Sequence, residues 1–152
     1  MNDELTHLDQ AGRAQMVDVS KKPPMHRRAQ AEGFFCCQAS TLDRVMEGDL
    51  PKGEVLAVAR IAGINAAKQC DSLIPLAHSL RLDQVAVYFE RAGDDRLRVR
   101  AEAVATGPTG VEMEALTAVS VACLTLYDMT KGVDRQLHLQ DIRLVSKEKT
   151  PI

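Results

Sequence analysis

The stretch LRVRAEAVATGPTGVEMEALTAVSVACLTLYDMTK, residues 97–131, contains the change of period that decides the fold. Leu97, Val99, Ala101 and Ala103 alternate with Arg98, Arg100 and Glu102, the two-residue repeat of a strand buried on one face. From Thr106 to Lys131 the segment reads as one long helix, mostly apolar, with ionisable residues at its tips. Gly107, Pro108 and Gly110 form a turn that sets its start. Glu112 and Glu114 then lie in the first turn, Asp128 and Lys131 in the last, and Gly132 ends it. A helix of this kind is buried along its length and opens to a site at an end.

All of these charges but Glu114 also have a plain structural account. Thr109 and Glu112 match the T-x-x-E pattern of a capping box, which by itself explains Glu112. Glu114 has no such account and falls in a polar stripe with Thr117, Ser120, Asp128 and Lys131. Asp128 and Lys131 are three apart, which suits either a solvated ion pair or a site.

Around this stretch the chain alternates strands and helices. Phe34–Gln38 suits a strand, and Ser40 or Thr41 can cap a short helix. Residues 55–68, VLAVARIAGINAAK, read as a second buried helix, where Gly63 is accounted for by a close helix crossing. A turn-rich connection, Asp71 to Ser79, carries His78. Val85–Glu90 and Leu97–Ala105 pair as a hairpin across Ala92-Gly93-Asp94-Asp95, and Leu137–Val145 is a last strand before a polar tail. The order predicts an α+β domain, an antiparallel sheet with helices on one face. Residues 1–152 read as a single domain whose first 30 residues form a loosely structured arm. Lys21-Lys22-Pro23-Pro24 lies within that arm.

Composition narrows the function. A net charge of −2 provides no field to recruit nucleic acid or an acidic membrane. Aromatic residues at 3% are too few for base-stacking platforms. No apolar run approaches the roughly 18 residues of a membrane span, and the polar MNDELTHLDQ is unlike a secretory signal. Cys36, Cys37, Cys70 and Cys123 lack metal-ligand spacing and suit free thiols in a reducing cytoplasm. Glycine-rich phosphate loops and serine elbows are absent. An anion site would therefore gather separated basic residues such as Arg27, Arg28, Lys52, Lys68, Lys131 and Lys147. Lys52 at a helix entrance is either an anion contact or an exposed loop lysine, and His78 either a catalyst or a satisfied buried side chain.

Several blocks, in order, resemble the MoaC family of molybdenum cofactor biosynthesis. They are MVDV (16–19), KGEV (52–55) with VARIAGI (58–64), LIPLAH (73–78), and TGVEMEALTA (109–118) running on to Tyr127-Asp128-Met129 and Lys131. The resemblance implies a ferredoxin-like fold and a homohexamer, a trimer of dimers with sites at the dimer interface. It implies a cytoplasmic lyase, a cyclic pyranopterin monophosphate synthase. Such an enzyme takes 3′,8-cyclo-7,8-dihydro-GTP from an upstream radical SAM GTP cyclase and releases pyrophosphate. It assigns Lys52, Asp128 and Lys131 to catalysis, and Asp18, Arg27, His78, Glu112, Met113, Glu114 and Lys147 to substrate. It calls for no resident cofactor or metal, with Mg2+ at most accompanying the triphosphate. The chain departs from the family pattern at Ala77, Ser79, Pro108, Thr130 and in the tail after Lys147. These changes raise the alternative of a divergent paralogue that binds a pterin or nucleotide without efficient turnover. The loosely patterned arm with Asp18 and Arg27 is expected to reach a neighbouring subunit's site.

Overall fold

A computed structural model describes residues 5–152. Among them the elements run β1 (Met25–Cys36), α1 (Ala39–Glu47), α2 (Val55–Lys68), α3 (Cys70–Leu73), β2 (Leu82–Arg91), β3 (Arg96–Gly107), α4 (Glu112–Thr130) and β4 (His138–Thr150). The strands form one antiparallel sheet in the order β2-β3-β1-β4. This is the expected α+β, ferredoxin-like arrangement.

Alternation along the central strands produces the two layers. Ala29, Ala31 and Phe35 of β1 and Leu97, Val99, Ala101, Ala103 and Ala105 of β3 are buried beneath the helices. Ala115, Ala118, Val119 and Ala122 of α4 meet them from above. Small side chains on both layers bring helix and sheet close. A Cβ on Gly33 would lie 2.9 Å from Val119 Cγ1, so α4 rests nearly on the β1 backbone. Gly63 plays the same part between helices, where an added Cβ would lie 2.9 Å from the Ala118 carbonyl oxygen of α4. The close crossing expected of that glycine is present. The sheet's other face is polar. On it, Glu32 is buried between Arg98 and Arg143, which reach it from β3 and β4.

Five expectations change. Strand β1 starts at Met25, so residues 25–30 are sheet and not loose arm. They pair on both sides, Arg27 with Ala105 and Lys149 and Ala29 with Ala103 and Lys147. Strand β4 runs on through Ser146–Thr150, because β1 supplies backbone partners for a tail whose side chains need no burial. Helix α4 begins at Glu112, since Thr106 and Gly107 complete β3, and Cys70–Leu73 forms one helical turn within the connection before His78. The capping box is not formed: Val111 is the N-cap and no side chain caps it.

Candidate active site

The first turn of α4 opens on a cavity of about 530 Å³, a volume suited to a small molecule. His78, Glu112, Met113 and Glu114 line it, together with Ala77 and Leu80. The N-terminal segment forms the opposite wall through Thr6, His7, Val17, Val19 and Lys22. The ring Nε2–H of His78 donates to the Val17 carbonyl at 2.6 Å and fastens that segment to its own domain. Within the single chain the arm therefore lies along its own domain.

Glu114 is the least ordinary group here. It is only 5% exposed, and among the described residues its Oε2 has no hydrogen-bond partner. Burial pushes its carboxyl above the usual range against a hydrogen bond from its own backbone N–H; the negative neighbours Glu112 and Asp71 act with burial, and His78 opposes them least. A carboxyl in that setting can hold a proton and offer it to a ligand. Glu114 and Thr117 turn inward, Thr117 against Cys70 at 3.6 Å, so the polar stripe read along α4 is not one solvated face. Glu112 curls back toward Gly110 and accepts from Lys147 Nζ at 3.2 Å. Beyond it lies a second cavity of about 210 Å³, lined by Arg27, Arg28, Lys147 and Lys149. Arg27 braces the turn before α4 by donating to the Gly107 and Pro108 carbonyls.

The residues assigned to catalysis gather at the other end of α4. Asp128 bridges two ammonium groups, Lys131 Nζ at 2.7 Å and Lys52 Nζ at 3.9 Å, and Lys52 also donates to the Asp128 carbonyl at 3.1 Å. The bond to Lys131, then its charge and that of Lys52, hold the Asp128 carboxyl below its ordinary value. The bond to Asp128 in turn holds Lys131 above its own. All three side chains are open to water.

The structure thus brings the assigned residues into two groups. Arg27, His78, Glu112, Met113, Glu114 and Lys147 lie around the start of α4, and Lys52, Asp128 and Lys131 at its end. The 19 residues of the helix separate the groups by roughly 28 Å at 1.5 Å per residue. Asp18 joins neither: its carboxylate accepts from the Ser20 amide at 2.8 Å and is exposed, while its neighbours Val17 and Val19 face the cavity. The arm's wall-forming residues Thr6, His7 and Lys22 were missed, since a polar segment of mixed composition carries no periodic signal.

The chain is similar over nearly its whole length to proteins named for one activity. A cyclic pyranopterin monophosphate synthase of Chloroflexus aggregans is 52% identical over 147 residues, covering 95% of this chain and 88% of that protein. Cyclic pyranopterin monophosphate synthase 3 of Mycobacterium bovis is 53% identical over 150 residues, 97% of this chain and 85% of its own. The synthase of a Methylobacterium species is 54% identical over 144 residues, 94% and 90% of the two chains. Residues 16–150 match the MoaC family, a span that takes in both ends of α4 and every side chain assigned above, so the chain belongs to that family.

Proposed function

We propose that this protein is a cyclic pyranopterin monophosphate synthase of molybdenum cofactor biosynthesis, converting 3′,8-cyclo-7,8-dihydro-GTP to cyclic pyranopterin monophosphate with release of pyrophosphate. The observation that carries the reading is identity of 52–54% to synthases along nearly the whole chain. The alternative of a binding protein without turnover gains nothing from the family departures. Ala77 lines the cavity without narrowing it to a slot, Thr130 is buried with its hydroxyl donating to Leu126 at 2.7 Å, and the altered tail completes β4.

The chemistry requires proton transfers while a guanine-derived ring opens and a pterin ring closes. Glu114 and His78 are suited to hold the heterocycle, Glu114 through an oxygen that has no partner among the described residues. The basic cavity of Arg27, Arg28, Lys147 and Lys149 is suited to the phosphates and to the departing pyrophosphate. The pair Lys131–Asp128 with Lys52 is suited to acid–base work once water is excluded from it. The reaction runs on these side chains; a magnesium ion enters, where needed, with the triphosphate.

Roughly 28 Å between the groups is too far for one substrate within one chain. We therefore propose that two copies meet about a two-fold axis with their α4 helices antiparallel, so that the start of one helix faces the end of the other. The outer faces of α2 and α4 suit such a contact: Val58, Ile61, Leu124 and Tyr127 are each 40% or more exposed. A homohexamer built as three such dimers, working in the cytoplasm downstream of a radical SAM GTP cyclase, completes the proposal. The test is incubation of purified protein with 3′,8-cyclo-7,8-dihydro-GTP, with pterin product and pyrophosphate both measured. Turnover supports the synthase; tight binding without release points to the binding protein; neither overturns the reading.

A further inference from the structure

The two cavities at the start of α4 share two lining residues, Gly110 and Glu112. On one side are His78, Met113 and Glu114; on the other Arg27, Arg28, Lys147 and Lys149. The Glu112 carboxylate stands between them. Two features keep it there. Lys147 Nζ donates to Oε1 at 3.2 Å. Gly110 offers a cradle, because a Cβ at that position would come within 2.8 Å of both Glu112 Cδ and Oε1 and closer still to Oε2.

The pair is loosely held. The Lys147 side chain is 66% exposed and that of Glu112 28%, and exposed ion pairs contribute little. Lys147 also lines the basic cavity, and among the described residues its only side-chain partner is Glu112. A polyphosphate carries more charge than one carboxylate and accepts at more oxygens, so it would outcompete Glu112 for that ammonium. The carboxylate, once released, is free to rotate away from Gly110.

We propose that Glu112 is a movable partition: a polyphosphate in the basic cavity takes Lys147 from it, and the freed carboxylate turns toward the cavity that holds His78 and Glu114. Phosphate occupancy on one side is thereby coupled to the charge presented on the other. Lys147 and Gly110 are positioning residues for Glu112. The inference rests on the nucleotide-derived substrate proposed above.

The test is calorimetric titration of the full-length protein with inorganic pyrophosphate. Gly110→Ala changes no charge. Gly110 has no left-handed backbone, and its added Cβ meets only the far end of a flexible side chain. It should displace Glu112 from Lys147 and tighten pyrophosphate binding roughly three- to fivefold, the range an exposed ion pair can release. Glu112→Gln should tighten binding similarly, and the double variant no further. In a Lys147→Met background both effects should vanish, because the competition runs through that ammonium. Wild-type affinity in Gly110→Ala overturns the partition. Should Gly110→Ala not fold, Glu112→Gln decides: tightening that persists in Lys147→Met is a simple charge effect and overturns the exchange. A wild-type protein that binds no pyrophosphate overturns the functional reading itself.

Discussion

Lys131 and Glu114, near opposite ends of α4, are both shifted upward, for opposite reasons. Lys131 is raised because Asp128 stabilises its ammonium, so in the isolated chain it can donate a proton but hardly accept one. Lys52 and Lys131 are half exposed and pack against no core. Lys52→Ala and Lys131→Ala should therefore abolish product formation while shifting stability by no more than about 0.5 kcal/mol. A thermal melt beside a turnover assay checks this, and near wild-type turnover in either variant removes that lysine from catalysis. Glu114 is raised because burial disfavours its charge. The folded chain holds this proton above the unfolded value of 4.5, so ionisation costs stability as pH rises from there through the raised pKa. Glu114→Gln cannot ionise. Its melting temperature relative to wild type should rise between pH 4 and pH 8, and a flat or falling difference would mean the carboxyl is already charged at low pH. The types of these residues were legible in the sequence. Their states were not, because one depends on burial in the folded chain and the other on the rotamer of its ion-pair partner.

At the scale of elements, what could be read followed from burial. Helix α2 spans Val55–Lys68 as the pattern predicted, because buried alanines and glycine leave a helical signature. The β2–β3 hairpin was equally plain, with Gly93 at φ 118° supplying a conformation that other residues resist. The starts of β1 and the end of β4 were hidden, since these backbones pair at positions whose side chains face water. Helix α4 starts later than Thr106 because Thr106 and Gly107 complete β3, and Glu112 is engaged with Lys147 and not with a cap. The α2–α4 crossing gives a prediction here. Gly63→Ala gains about 1 kcal/mol of helix propensity but forces a Cβ against the Ala118 backbone, an overpacking that costs about 1–3 kcal/mol. A net loss of about 1 kcal/mol should appear in denaturant unfolding. A stabilised variant would show that the two helices can separate without cost.

For the whole molecule, the sequence named nearly all the residues of the candidate site but not their division between two ends of a helix. Order along a chain says nothing of which copy a residue serves. Arg27 was expected to act on a neighbour through a mobile arm; it lies in β1 of its own domain, beside the start of its own α4. Lys131 lies at the far end of that same helix. In the antiparallel dimer proposed above the two would still serve different sites, for a reason of rigid geometry and not of a reaching arm. Arg27→Ala and Lys131→Ala proteins, each inactive alone, should therefore regain activity when co-expressed. In a mixed dimer one composite site receives both wild-type residues and the other neither. Random pairing makes about half of all dimers mixed, with one intact site in two, so roughly a quarter of full activity should return. The measurement is turnover per mole of protein, with differently tagged chains captured together to prove that mixed dimers formed. Mixed dimers without recovered turnover would place Arg27 and Lys131 in one chain's site and exclude the antiparallel arrangement, because no other pairing of the two helix ends closes the roughly 28 Å between them.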